Sequence, residues 1–196
     1  LMILALFDKM GVSKGDTFEH IHSLIEITKQ VFLKRNFELG DPNYMSSSER
    51  DWLSDDILNR LLSKLNPDKA LPWPYTPNKG DTVWMGAVDS EGTAVSFIQS
   101  VFWEFGSGLT CPETGIFFQN RGAGFSLQPG ANQLCPFKRP FHTLNPALAL
   151  LKDGRSMVYG TMGGDGQPQT QSAIFSRYAY FDYDLQHSIS LPRWLL

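Results

Sequence analysis

Thr82 opens an apolar run over residues 83–88, and Ser100 lies near the end of a second run, rich in β-branched and aromatic residues, over 93–102. Asp89-Ser-Glu-Gly92 stands between them as turn chemistry, so the stretch reads as one β-hairpin. Pairing Asp89 with Gly92 sets Thr82 opposite Gln99, next to Ser100. Side chains alternate along a strand, so a bulge near Gln99 or Ser100 is needed to turn the serine toward Thr82. The chemistry that two such hydroxyls suit is attack on an amide, which needs a nucleophile, a base beside it and a donor for the oxyanion. A threonine that becomes a chain N-terminus carries its own base, because a free α-amine has a pKa of ~7.7–8.0. Attack of the Thr82 hydroxyl on the carbonyl of Asp81 would break the Asp81–Thr82 bond and release that amine. On spacing alone the dominant reading of Thr82 is an ordinary strand-opening threonine, there for β-propensity and pleat packing.

Several elements must position this hairpin. Residues 1–10 read as a buried helix broken at Gly11 and Gly15. A second helix spans about 17–33, with Asp16 and Glu19 as a capping arrangement and Ile21, Leu24, Ile25, Thr28 and Phe32 as its apolar stripe. Gly40-Asp-Pro42 is a turn, and Ser54 caps a third helix whose inner face is Ile57, Leu58, Leu61, Leu62 and Leu65. Four prolines between 67 and 80 exclude helix and central strand, leaving an extended connector. Downstream, 116–120 reads as a strand, Arg121-Gly-Ala-Gly-Phe-Ser126 as a glycine-rich loop with a cation, and 147–151 with 156–161 as a hairpin closed at 152–154. Gly163-Gly164-Asp-Gly166 is a tight loop, and 169–180 is helical. Helices, then antiparallel strands, then a helix on one face predict an α+β fold or a layered sandwich.

Composition narrows the function. The 196 residues are 42% hydrophobic and carry a net charge of −3, enough for a sizeable core and without the basic excess that nucleic acid or an anionic membrane surface would favour. No apolar run reaches the ~18 residues of a membrane span. Cys111 and Cys135 have no metal-ligand spacing and read as packing residues, and His20 and His22 would face differently on a helix, against a shared metal. No metal or organic cofactor is implied. Both ends are apolar, which reads as a segment of a longer protein; compartment and any assembly of identical copies are left open.

Gly80-Asp-Thr-Val-Trp-Met-Gly-Ala-Val-Asp89, Phe105-Gly-Ser-Gly108, Glu113-Thr-Gly-Ile116, Phe125-Ser126, Pro129-Gly130, Lys138-Arg-Pro140, Asn145-Pro146 and Gly163-Gly164 occur here in that order. Together they resemble the γ-glutamyltransferase family of N-terminal-nucleophile hydrolases, αββα sandwiches made as a precursor that cuts itself. The resemblance implies a division into residues 1–66 (helical end of the large subunit), 67–81 (connector ending at the self-cleavage site) and 82–196 (small-subunit core). It implies Thr82 as nucleophile, Ser100 in place of a second threonine hydroxyl bonded to it, and Gly163 and Gly164 as the backbone donors of the oxyanion hole. Without it, the two glycines would read as a plain turn.

The substrate-binding positions depart from the transpeptidases. The acid that holds a substrate α-amino group is replaced by Gly124, an asparagine by Phe102, and a serine pair by His142 and Thr143. Arg121 adds a cation suited to a carboxylate, its alternative being a surface loop arginine. The wording around Thr82, with Phe141-His-Thr-Leu-Asn-Pro146, looks most like the oxamate amidohydrolase branch, whose substrate is a small amide with a carboxylate and no amine. The expected partners are such a small-molecule amide and the remainder of the two subunits; a γ-glutamyl hydrolase or transpeptidase, or a non-catalytic uncut member, are the alternatives.

Overall fold

The computed structural model describes residues 1–75 and 81–196. Its elements are α1 (Met2–Met10), α2 (Phe18–Glu38), α3 (Asp55–Leu62), the strands β1 (Asp81–Val88) and β2 (Ala94–Phe102), the strands β3 (Ala147–Leu150) and β4 (Ser156–Tyr159), α4 (Gly166–Phe175) and α5 (Leu185–Ser190). Helices and two antiparallel hairpins make this an α+β structure, as predicted, and each hairpin is a separate two-stranded sheet. The full four-layer sandwich is not contained in these elements.

The second helix is the centre of the helical part. Its N-cap is Thr17, whose side chain accepts from the His20 N–H, rather than the predicted Asp16. Asp16 instead has φ 50° and meets Arg177 at 2.8 Å. The helix also runs to Glu38, a full turn past the predicted end, and its polar residues His20, Ser23, Glu26, Lys29 and Gln30 are buried with the apolar ones. His20, Glu26 and Lys29 among them have polar partners. His20 accepts the Asp16 N–H at Nδ1 and reaches Ser176 Oγ from Nε2 at 2.9 Å, so the ring is the neutral Nε2–H tautomer. Burial lowers the His20 pKa to about 4, against the attraction of Asp16 and with the added repulsion of Arg177.

Glu26 and Lys29 pair at 2.6 Å, and both grip the connector: Lys29 Nζ donates to the Leu71 carbonyl at 2.7 Å, and Glu26 Oε2 accepts the Leu71 N–H at 2.9 Å. The connector is thus anchored as far as Tyr75, beside the ring of Trp73; its residues 76–80 lie outside those described.

The strand predicted over 116–120 does not form. An isolated bridge, Thr110 to Phe117, and scattered backbone bonds such as Phe118 N–H to the Leu109 carbonyl join it to the chain before it without making a regular ladder. Positive φ at Gly106, Gly108 and Gly115 bends the backbone too sharply for a regular ladder. The β3–β4 hairpin matches the prediction and is tied to β1–β2 through Trp84, which donates to Ser96 Oγ and packs so closely on Gly160 that a Cβ there would lie 2.1 Å from its ring. Cys135 is exposed, not a packing residue, and Cys111 is half-buried with its thiol donating to Glu113.

Candidate active site

The first hairpin brings Thr82 and Ser100 together at one bulge. Val83 pairs with Gln99 and Asp81 with Phe102, so the ladder slips by one residue where Thr82 sits, with Ser100 and Val101 both opposite it. This corrects the Thr82–Gln99 register predicted from the turn. The loop is wider than expected because Asp89 Oδ1 accepts both the Glu91 and Thr93 N–H groups, and pairing starts at Val88 and Ala94. The bulge itself falls at the predicted place. It forces Phe102 to φ 81°, a conformation costing a non-glycine residue about 1–3 kcal/mol. Ser100 Oγ accepts the Phe102 N–H at 2.9 Å, and Asn120 holds the outer side through the Val101 carbonyl and the Trp103 N–H.

Thr82 and Ser100 line one cleft of about 250 Å³ together with Phe102, Arg121, Thr143 and Gly164. Six of the positions chosen from the sequence therefore converge. Gly163 has φ 103° and lines the adjoining cavity rather than this one. His142 is exposed and does not line the cleft; its Nδ1 accepts the Leu144 N–H, and partial desolvation, then the charge of Arg121, lower its pKa. Asp81 enters β1 directly before Thr82.

Arg121 lies with its guanidinium carbon 4.0 Å over the ring of Phe102, a cation–π contact worth about 0.5–1 kcal/mol. No carboxylate is bonded to that guanidinium among the described residues. Half-burial lowers its pKa, yet an arginine starts so high that it stays charged. A cation in a cleft without a protein counter-ion is a receptor for an anion. Across from it Gly124 leaves room: a Cβ there would meet Phe102, Phe141 and Arg121 only at ordinary contact distances, 3.7 to 3.9 Å.

Two groups in this cleft escaped the sequence reading. Asn132 staples the walls, donating to the Gly124 carbonyl at 2.7 Å and accepting the Phe141 N–H at 2.8 Å. Arg35, from the last turns of α2, forms an ion pair at 2.8 Å with Asp165, the residue after Gly164. The signal for Arg35 was its place three residues after Phe32, on the same helix face, had the helix been drawn long enough. Among the described residues no cluster of three or more His, Cys, Asp or Glu could hold a metal, and no helix is long and apolar enough to cross a membrane.

A sequence model of the family described as gamma-glutamyltranspeptidase matches residues 1–196. The oxamate amidohydrolase proenzyme of Klebsiella pneumoniae is 50% identical over 197 residues, all of this chain and 37% of that protein. The glutathione hydrolase-like YwrD proenzyme of Bacillus subtilis is 41% identical over 204 residues, with the same coverage of 100% and 37%. Among solved structures, cephalosporin acylase from Bacillus halodurans superposes with a TM-score of 0.88 at 34% identity, over 100% of this chain and 36% of that one. The chain spans little more than a third of the length of the curated relatives it matches. Match, order of motifs and fold agree over the whole length, and the chain belongs to the γ-glutamyltranspeptidase family.

Proposed function

We propose that the whole protein is a self-processing amidohydrolase acting on a small amide that carries a carboxylate, of the oxamate kind. The observation that carries this is the cleft that Thr82 and Ser100 line together, with Arg121 offering an uncommitted cation and Gly124 standing where an amine-binding acid would be. In this reading residues 1–66 end the large subunit, 67–81 form the connector, and the small subunit starts at Thr82. Opening of the Asp81–Thr82 bond frees the Thr82 amine. Thr82 Oγ then attacks the substrate carbonyl and passes its proton to that amine; the N–H groups of Gly163 and Gly164 receive the oxyanion. The amine returns the proton to the leaving ammonia, and water cleaves the threonyl ester to release the acid. Ser100 orients Thr82. Arg121 holds the substrate carboxylate, with Thr143 and His142 beside it and Phe102 limiting the size of the acyl group.

The 50% identity to a protein named oxamate amidohydrolase proenzyme supports the substrate class. Relatives named glutathione hydrolase-like, at 41% identity, and glutathione hydrolase, at 30%, favour the second reading, a γ-glutamyl hydrolase or transpeptidase. The test is made on the full-length protein, incubated separately with oxamate and glutathione while ammonia and glutamate are measured. Ammonia from oxamate is expected; turnover of glutathione alone would overturn the substrate assignment. Intact mass should give two pieces, the smaller beginning at Thr82, and Thr82→Ala should leave one uncut chain with activity reduced at least ~1,000-fold. A single intact mass in the unmodified protein would favour a non-catalytic scaffold. The present chain without the remaining length of its parent is expected to turn nothing over.

A further inference from the structure

The Arg35–Asp165 pair lies in the same cleft as Thr82, and the reading above gives it no task. Both side chains are only 12% exposed. The guanidinium sits 3.9 Å over the ring of Phe32 and 5.2 Å from that of Phe141, and its Nε and Nη2 donate to Asn36 Oδ1 at 3.0 and 2.8 Å. Arg35 is therefore fixed on two sides by rings and on a third by its own helix, leaving Nη1 aimed at Asp165. Asp165 in turn follows Gly163 and Gly164, whose φ values of 103° and 51° no ordinary residue adopts easily. Within the loop and the start of α4, the Gly166 N–H donates to the Gly163 carbonyl at 2.7 Å, the Gln167 N–H to the Gly164 carbonyl at 3.2 Å, and Gln169 Nε2 to the Asp165 carbonyl at 2.9 Å. These bonds close the turn but do not fix where it points relative to β1.

We infer that Arg35 and Asp165 act as a positioning pair, which locks the Gly163–Gly164 loop, and with it the oxyanion-binding N–H groups, against α2. This rests on the amidohydrolase reading. Donors at an oxyanion act through exact placement, so a loosened loop weakens the transition state while leaving ground-state binding nearly intact. An ion pair also neutralises the Asp165 carboxylate toward the cleft. An amine-binding role for Asp165 would leave that charge available to the substrate instead.

The test uses full-length protein and whichever of oxamate or glutathione it turns over. Asp165→Asn keeps the shape of the side chain and removes its charge. The expected result is normal opening of the chain by intact mass, and kcat lowered about 30-fold with KM within threefold. Arg35→Lys, which keeps the charge without the planar fork, should lower kcat about 5-fold. The double variant should be no more than twofold slower than Asp165→Asn, because the two residues work as one unit. The inference is overturned if kcat of Asp165→Asn stays within threefold of the parent, if KM alone rises, if the two effects multiply, or if neither variant opens its chain, which would make the pair a folding element. A rise in KM limited to glutathione would instead mark Asp165 as an amine anchor. Thr82→Ala separates the layers: loss of activity there with an unaffected Asp165→Asn removes only the pair's role, whereas activity surviving in Thr82→Ala removes the reading beneath it.

Discussion

The helical part and the hairpins spend their apolar residues in opposite ways. Met2, Ile3, Leu6, Phe7, Leu24, Ile27 and Leu58 are buried in a single cluster formed by α1, α2 and α3 with Trp52. On the hairpins, by contrast, Val95 is 51% and Leu150 79% exposed, and Val83, Met85, Phe97 and Leu148 are exposed with them. The strands alternate as half-buried sheets should, yet one apolar face meets nothing among the described residues. One region thus owns its core, while the other presents one side of a core. Chains that match this one continue for almost twice its length again, and the proposed occupant of that face is the rest of the parent.

The comparison can be broken most directly at its strongest point. Leu24 is 0% exposed, so Leu24→Ala should cost about 3–5 kcal/mol and be read as a large drop in urea midpoint. A second test uses acid. His20 is buried neutral with a pKa lowered to about 4, against ~6.5 when unfolded, so the unfolded chain binds the extra proton first. Its contribution is complete above pH ~6.5 and declines as the pH falls toward about 4, a loss of roughly 3 kcal/mol that His20→Gln should abolish in a stability-against-pH series. Asp41 works at lower pH. The N–H groups of Arg139 and Asn43, and then the Arg139 side chain, lower its pKa to about 2, so its stabilising bonds persist until the pH drops below the ordinary carboxylate value and vanish near pH 2.

On the hairpin side the expected effects are smaller and of a different kind. Gly124→Asp fits without displacing backbone and puts a carboxylate in the cleft. It should raise KM for oxamate about 10-fold by competing for Arg121, an effect of ~1.4 kcal/mol, and improve binding of amine-bearing substrates. Leu150→Lys should shift the stability of the present chain by less than ~0.5 kcal/mol, but destabilise the full-length protein several times more. Equal effects in the two would remove the idea that this face is covered.

The parts legible in the sequence were those that depend on neighbours along the chain. The first hairpin, its bulge and the β3–β4 turn followed from turn residues and apolar periodicity, whereas α4 starts at Gly166, three residues ahead of the expected Gln169. The register of Thr82 was off by one because the Asp89 carboxylate organises a longer loop, which composition does not reveal. Arg35 was missed because a long polar side chain at a helix end is ordinarily solvated. Phe32, Phe141 and Asp165, brought together from three separate segments, with Asn36 beside them, make burial of its charge tolerable. The Thr82–Ser100 constellation was legible through family phrasing, while the Asn132 staple needed coordinates.

Asp41 reaches across to Arg139, Asp16 to Arg177, and Glu26 with Lys29 to Leu71. Two of these links join residues upstream of Asp81 to residues beyond Thr82. If the peptide between those two residues opens, neither half is set adrift. The nicked molecule should sediment and elute as one particle in native buffer, and come apart only when acid or denaturant dissolves the bridges.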